Sequence, residues 1–191
     1  MKECSVKLET DLLQRLQQSD EEALASLMEI YYDSLYNYAA RFTKNDGLIK
    51  DCIQEVFISL WQRRETTSKI LSPKYYFLRA IKNKVLKAVT KNSHKATSDH
   101  LLEEYDFFHD FSIEQVIIEK QVSDEKAAKL RKVLSLLSKR QKEIIYLKYY
   151  QHLDHGQIAE LMNISRQSVY NLLHEAINKL RSLWHTEFVS H

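Results

Sequence analysis

The chain has 191 residues, a formal net charge of +2 and a hydrophobic fraction of 44%, which is enough for one or two small domains with a buried core. Its two glycines and one proline exclude a sheet-rich protein, because hairpins and βα turns depend on those residues, and they predict an all-α fold. The two cysteines, Cys4 and Cys52, lie far apart, which excludes a disulfide framework and favours a reducing compartment.

Three helices are predicted in the first half of the chain. Ser19 stands three residues before Glu22, as in a capping box, and Pro73 suits the first turn of a helix. In chain order we predict a helix from Ser19 to about residue 43, a break at Asn45-Asp46-Gly47, a helix with an apolar stripe from Ile49 to Trp61, a loop at 65–71, and a helix from Pro73 to about residue 91.

Four further helices are predicted in the second half, at about 113–137, 139–150, 155–162 and 166–184. Their N-caps are Ser112, Ser138 and Asp154, each three residues before a glutamine, and Ser165, which lacks that partner. Helical periodicity fails between Asn92 and Ser112. We therefore predict two small helical domains, at residues 8–92 and 113–186, joined by a flexible acidic linker at 93–112.

Charge is segregated along the chain. Residues 69–98 carry eight Lys or Arg and no acid, residues 99–125 carry nine acids and one base, and residues 126–191 carry eleven Lys or Arg and five acids. Two basic blocks on either side of an acidic one indicate two separate contacts with a polyanion. Ordinary solvated helix faces are the alternative.

The stretch 158–176 has the pattern of a helix-turn-helix. Ala159 is small enough for close helix approach, Asn163 tolerates a left-handed turn, and Ser165 caps the second helix. The first turn of that helix is then placed for a major groove, where Arg can bond guanine and Gln can bond adenine. The candidate DNA-contacting residues are Ser165, Arg166, Gln167, Ser168, Tyr170, Asn171 and His174, with Lys179 and Arg181 placed for phosphates. A plain helical hairpin is the alternative.

The helix after Pro73 interleaves lysine and arginine with aromatic residues: Tyr75, Tyr76, Arg79, Lys82, Lys84 and Lys87. Melted DNA presents phosphates to cations and unstacked bases to aromatic rings, so this helix is a candidate contact for single strands. Adjacent helical residues face different ways, so we expect one of the two tyrosines to be core or surface filler.

Two groups of motifs carry a family resemblance. In the second half they are Leu137-Ser138, Arg140-Gln141, Ile158-Ala159, Ile164-Ser165, Ser168-Val169, Ala176 and Leu180-Arg181; in the first half they are DCIQEVFISLW at 51–61 and Tyr76-Phe77-Leu78 with Asn83. The chain resembles sigma-70 transcription initiation factors, with the second half similar to region 4 and the first half similar to region 2. Regions 1 and 3 of the full family are missing, so the resemblance is to the extracytoplasmic-function (ECF) group.

The resemblance implies a function and its partners. Asp51, Gln54 and Glu55 share one helix face and would dock on the β′ clamp helices of core RNA polymerase, with Phe57 in the core. The 62–91 region, Asn83 included, would meet the −10 element of promoter DNA, with 65–71 selecting bases. The recognition helix would meet the −35 element, the second domain would meet the β flap, and an anti-sigma factor would hold the protein inactive.

The sequence therefore predicts an ECF-type sigma factor that binds core polymerase, recognises both promoter elements and promotes melting. A stand-alone helix-turn-helix regulator is the alternative. We expect no enzyme activity, no cofactor and no small-molecule substrate. We also expect no metal site, since His152 and His155 lack the carboxylate spacing of a zinc enzyme. No segment is apolar enough for a signal peptide or a membrane span, so we expect a cytoplasmic protein.

Overall fold

Helices account for all of the secondary structure in residues 2–92 and 124–188, which are the residues that this computed structural model describes. The all-α prediction is therefore confirmed for these residues. The chain divides into two compact units, called unit 1 and unit 2 below, and their described parts are residues 2–92 and 124–188. The predicted linker at 93–112, the cap at Ser112 and the start of the helix expected at 113 lie outside the described residues.

Unit 1 comprises α1 (Lys2–Gln17), α2 (Glu21–Ala39), α3 (Asp46–Gln62), a 3₁₀ helix (Arg64–Lys69) and α4 (Pro73–Asn92). Helix α2 packs against α1, α3 and α4. An aromatic cluster joins three of these helices, because the Phe77 ring lies 4.6 Å from the Tyr31 ring and 5.2 Å from the Phe57 ring, centroid to centroid. Burying each such ring contributes about 1.5–3 kcal/mol, and Phe57 is in the core as predicted.

The start of α2 differs from the prediction. Ser19 has a left-handed backbone, with φ of 66°, and its amide donates to the Leu16 carbonyl at 2.9 Å, so it ends α1 and does not begin α2. Asp20 is the true N-cap, because its Oδ1 accepts from the amides of Glu22 and Ala23 at 2.9 and 3.2 Å. The N-cap expected at Ser19 therefore lies one residue later. The expected capping box with Glu22 was wrong, because the residue three positions after Asp20 is Ala23, which has no side-chain acceptor.

The segment predicted as a loop at 65–71 is largely a 3₁₀ helix, Arg64–Lys69. It packs along α1, which the sequence analysis did not predict as a helix although its last turns bury Leu12, Leu13 and Leu16. The other two helix starts in unit 1 follow the expected chemistry. Asn45 caps α3 by accepting from the Leu48 amide at 3.0 Å, and Pro73 is the first residue of α4.

Cys52 lies on the inner face of α3 and is buried. Burial raises the pKa of its thiol, and the nearby Glu55 carboxylate raises it further. The thiol is therefore protonated and protected from solvent in the folded unit.

Unit 2 comprises α5 (Asp124–Ser135), α6 (Lys139–Ile145), a π-helical turn (Tyr146–Tyr150), α7 (His155–Met162) and α8 (Arg166–Phe188). Helix α8 packs against α5, α6 and α7. Its inner stripe is Val169, Leu173 and Ala176, spaced by four and three residues as an amphipathic helix requires. None of the described helices of either unit is long and apolar enough to cross a membrane.

Two predicted capping boxes in unit 2 are confirmed. The Gln141 amide donates to Ser138 Oγ at 3.3 Å, and the Ser138 amide donates to Gln141 Oε1 at 3.1 Å. The same reciprocal pair joins Asp154 and Gln157, at 2.9 and 3.1 Å. These short-range bonds fix the starts of α6 and α7 at the residues that the sequence indicated.

The helix predicted at 139–150 changes type before it ends. After α6 the backbone widens into the π-helical turn, in which the Gln151 amide donates to the Tyr146 carbonyl five residues earlier at 3.0 Å. A buried hydrogen bond from Gln151 Nε2 to Tyr146 Oη, 2.5 Å long, holds the turn closed. His152 then takes a left-handed conformation, with φ of 57°, and the chain reverses toward α7.

Candidate nucleic-acid and partner interfaces

The outer face of α3 is polar, and one large apolar side chain follows the polar residues. Asp51, Gln54 and Glu55 are all exposed, as the spacing of three and four residues predicted. Ile58 continues the same face one turn later and is 47% exposed, which is unusual for such a large aliphatic side chain. The sequence analysis did not single out Ile58. Its position seven residues after Asp51 is the signal that could have found it.

An ion pair connects α3 to α4. Lys84 Nζ lies 2.9 Å from Glu55 Oε2, and the two side chains are 30% and 64% exposed. Glu55 was predicted to face a protein partner and Lys84 to face DNA. The structure therefore places the two predicted surfaces in direct contact.

The outer face of α4 carries most of the predicted single-strand contacts. Tyr75, Arg79, Asn83 and Lys87 recur every four residues and form one stripe. Tyr75 is half-buried, as are Tyr76 and Lys84 beside the stripe, and the other three are exposed. Arg79 Nη1 donates to Tyr75 Oη at 3.2 Å, and this bond orders the start of the stripe. Burial raises the pKa of the Tyr76 hydroxyl, and the Tyr76 ring meets Phe77 edge-on at 5.5 Å, so Tyr76 packs partly into unit 1.

Lys82 requires a correction, because the structure does not place it on this outer face. It is 4% exposed, on the inner side of α4 with Ile81 and Val85. Its ammonium lies 5.6 Å from the centroid of the Phe42 ring, where a cation–π attraction offsets part of the cost of desolvation. A phosphate cannot reach a side chain in this position, so Lys82 is removed from the candidate DNA contacts.

The helix-turn-helix of unit 2 has the predicted geometry. Asn163 is left-handed, with φ of 53° and ψ of 49°. The Ile164 amide donates to the Ala159 carbonyl at 2.9 Å and the Asn163 amide donates to the Glu160 carbonyl at 3.3 Å, which is the pattern of a Schellman motif. Ser165 Oγ then accepts from the Ser168 amide at 3.0 Å and caps α8.

All nine residues predicted to contact duplex DNA from α8 and its cap, Lys179 and Arg181 included, are exposed. Gln167 Nε2 donates to Asn171 Oδ1 at 3.1 Å, so these two side chains form one hydrogen-bonding unit on the surface. The Tyr170 ring lies 4.3 Å from the His155 ring and is still half exposed. A Cβ added at Gly156 would lie 3.1 Å from Arg166 Nη2, so Gly156 leaves room for the Arg166 guanidinium beside the first turn of α7.

No cluster of three His, Cys, Asp or Glu side chains suited to a metal ion occurs in residues 2–92 and 124–188. His152 and His155 flank the turn into α7, and the His155 ring packs on Tyr170.

A helix-turn-helix unit combined with a second helical unit that presents a basic, aromatic helix defines a DNA-binding transcription factor. Residues 27–95 match sigma-70 region 2, and residues 127–180 match sigma-70 region 4. The chain therefore belongs to the sigma-70 family of transcription factors, with the two-region organisation of its ECF group. The family acts without enzymatic chemistry of its own. No curated protein sequence matches the chain.

Two solved structures are similar across both regions. CnrH, solved in complex with the cytosolic domain of CnrY, is 15% identical and has a TM-score of 0.54, with coverage of 94% of this chain and 98% of that chain. The sigma factor RpoE from Bartonella quintana, solved with the anti-sigma factor NepR, is 14% identical and has a TM-score of 0.52, with coverage of 83% of this chain and 94% of that chain. At these identities the likeness establishes the shared fold.

Proposed function

We propose that this protein binds the core of bacterial RNA polymerase, directs it to promoters through the −35 and −10 elements, and promotes melting of the DNA. The observation that carries the proposal is the combination, in one sigma-70 chain, of an exposed polar face on α3, a basic aromatic stripe on α4 and an exposed recognition helix. A stand-alone regulator has a use for the recognition helix but not for the other two surfaces.

The α3 face is the proposed contact with the β′ clamp helices. Asp51 and Glu55 offer carboxylates and Gln54 an amide, while Ile58, one turn later, supplies an apolar side chain that would become buried in the complex. Interfaces of this kind depend on a few desolvated anchors surrounded by polar contacts. Unit 2 would make a second polymerase contact, with the β flap.

The α4 stripe is the proposed contact with the −10 element. Arg79 and Lys87 would bind phosphates, and Asn83, between them in the stripe, would hydrogen-bond to the DNA. Tyr75 and Tyr76 would stack on unpaired bases. Each base–aromatic stack contributes about 1–3 kcal/mol. Because these contacts need unpaired bases, they bind melted DNA more tightly than duplex DNA and shift the population toward the open state.

The first turn of α8 is the proposed reader of the −35 element. Arg166 and Gln167 would reach base edges, and Ser165 and Ser168 would contact the DNA at the N-terminal cap of α8. Lys179 would bind a phosphate farther along the helix. Tyr170, Asn171 and His174 extend the same exposed face of α8. The reading depends on rigid placement of this turn, which the Asn163 motif supplies.

An anti-sigma factor is the proposed regulatory partner, and the cytoplasm, where polymerase and promoter DNA lie, is the proposed site of action. The support is the similarity in fold to RpoE, which was solved with the anti-sigma factor NepR. Such a partner would compete with polymerase for this chain.

Reconstituted run-off transcription tests the proposed function. The purified chain is added to bacterial core polymerase and a library of genomic fragments, and the transcripts are sequenced. We expect discrete start sites that share two upstream elements. If the chain fails to bind core polymerase yet binds a defined duplex tightly by itself, the protein is a stand-alone regulator.

A further inference from the structure

We propose that α1 positions the base-selecting segment of unit 1, and that Gln17 and Thr67 are the positioning residues. The inference rests on the proposed −10 role of the segment around the 3₁₀ helix. Helix α1 lies before the stretch that matches sigma-70 region 2, which begins at residue 27. Its contacts with the 3₁₀ helix are nonetheless among the most extensive between elements of unit 1.

The two contacts are hydrogen bonds between residues far apart in sequence. Thr67 Oγ1 lies 3.1 Å from the Leu13 carbonyl oxygen and 2.7 Å from the Arg64 carbonyl oxygen, so its proton is shared between α1 and its own helix. Gln17 Nε2 donates to the Glu65 carbonyl at 3.0 Å. Thr67 is 1% exposed, whereas Gln17 is on the surface.

A 3₁₀ helix of six residues needs support from outside, because its hydrogen-bond geometry is poorer than that of an α-helix. Arg64 adds a third attachment: its Nε donates to Ser19 Oγ at 2.8 Å, and its Nη1 donates to the Trp61 carbonyl at 3.1 Å. The Arg64 guanidinium also covers the Trp61 ring at 4.8 Å. The segment is thus tied to the end of α1 and to the end of α3.

The side chains that these attachments hold in place face solvent. Glu65, Thr66, Ser68 and Lys69 are exposed, and Leu71, at the start of the turn into α4, is 98% exposed. A fixed backbone places these side chains before DNA arrives, so binding orders less of the chain and discriminates better between bases. Loss of the α1 contacts would leave the side chains present but less well placed.

The test uses holoenzyme assembled from core RNA polymerase and the full chain. It is incubated with a DNA library that contains a pre-melted bubble with a randomised nontemplate strand, and the bound DNA is sequenced. For Gln17→Ala and Thr67→Val we expect the enrichment of preferred bases to fall about two- to tenfold, as the loss of one hydrogen bond implies. Affinity for core polymerase should not change.

Gln18→Ala and Thr67→Ser are the matched controls. Gln18 is the exposed neighbour of Gln17, and serine keeps the hydroxyl, so both variants should enrich the same bases as the wild type. Because Gln17→Ala alters a surface residue, it decides the question even if Thr67→Val unfolds. The inference would be overturned if Gln17→Ala enriched the preferred bases as strongly as the wild type. If Thr67→Val folds, its enrichment would also have to be unchanged. A wild-type holoenzyme that enriches no sequence would overturn the proposed −10 role, and with it this inference.

Discussion

Asn163 occupies a backbone conformation that most side chains avoid. With φ at 53° it closes the turn between α7 and α8, and the two hydrogen bonds around it satisfy carbonyls at the end of α7. Left-handed backbone costs an ordinary L-residue roughly 1–2 kcal/mol, glycine much less, and asparagine is the best tolerated of the rest. This one residue therefore sets the angle at which α8 leaves the turn.

Replacing Asn163 tests that role. We expect Asn163→Ala to lower the free energy of unfolding of unit 2 by about 1 kcal/mol, and Asn163→Gly to be neutral or stabilising. The measurement is urea unfolding followed by Trp184 fluorescence in a Trp61→Phe background. Equal midpoints for the alanine and glycine variants would contradict the assignment of strain.

Arg166 is the residue for which we propose a direct contact with a base edge of the −35 element. We expect Arg166→Ala to weaken binding of the holoenzyme to its promoter by ~1–3 kcal/mol and to relax the preference at one position of the −35 element. Arg181→Ala is the control, because an exposed phosphate contact should weaken binding to all sequences alike. Competition binding with single-base variants of the −35 element measures both. A uniform loss for Arg166→Ala would mean that it binds phosphate.

At the scale of elements, α3 and α4 share the Glu55–Lys84 ion pair. An exposed pair of this kind contributes only about 0–1 kcal/mol to stability, so its significance lies in what it connects. The same carboxylate serves the proposed polymerase face and holds a lysine of the proposed DNA stripe. Under the proposed function, contact with one partner would therefore change the charge presented to the other.

The double substitution Asp51→Ala with Glu55→Ala tests the α3 face. It should weaken the binding of core polymerase while leaving the −35 contact of unit 2 intact, because both carboxylates lie on the proposed interface. Glu29→Ala with Asp33→Ala is the matched control, since these two exposed acids have the same spacing on α2. Core affinity is measured by fluorescence anisotropy of the labelled chain. Equal affinities for the two double variants would count against the interface.

The N-cap of α2 makes the stability of unit 1 depend on pH. The hydrogen bond from Arg15 to Asp20 lowers the pKa of Asp20, as do the amides of Ala23 and Glu22. A lowered carboxyl pKa contributes stability at neutral pH that is lost as the pH falls through the folded value. Thermal unfolding from pH 7 downward should show this loss. Asp20→Asn keeps a hydrogen-bond acceptor at the cap but cannot titrate, so this variant should lose less stability as the pH falls. If its pH profile equals that of the wild type, Asp20 is not the source of the pH dependence.

The elements that sequence patterns predicted well are those fixed by neighbours in the chain. The boxes at Ser138 and Asp154 and the turn at Asn163 depend on bonds that span a few residues, so composition and spacing were sufficient. The 3₁₀ helix was missed because bonds from Gln17 and Thr67 to residues about fifty positions away support it. The widening after Ile145 depends on the buried pair of Tyr146 and Gln151, which the apolar pattern does not reveal.

The exposure of the residues on the candidate surfaces was likewise predicted correctly where local sequence determines it, and wrongly where a distant contact does. The exposure of α8 residues followed from the cap at Ser165, whereas the α4 contacts were predicted from the interleaving of basic and aromatic residues. Lys82 was misassigned because a lysine was assumed to face solvent, although its neighbours Leu78, Ile81 and Val85 mark the inner side of the helix. The burial of Lys82 over Phe42 depends on a contact between α4 and a residue three positions after the end of α2, far away in sequence.

At the scale of the whole molecule, the proposed promoter contacts are divided between two units. We expect the chain alone to bind promoter duplex weakly and with steep salt dependence, and to bind tightly once core polymerase is present, because polymerase holds both units near the DNA. Anisotropy of labelled promoter DNA with the chain, with core, and with both gives the comparison. Core alone is the control, and tight binding by the chain alone would contradict the expectation.

The buried thiol of Cys52 provides a measure of how often unit 1 opens. Thiols are alkylated through the thiolate, and burial both hides this sulfur and keeps it protonated. In a Cys4→Ser background, the rate at which iodoacetamide labels Cys52 therefore reports how often α3 separates from its neighbours. Because Asp51 is the adjacent residue, the same rate registers any ligand that clamps this helix, without a fluorophore or a reporter gene.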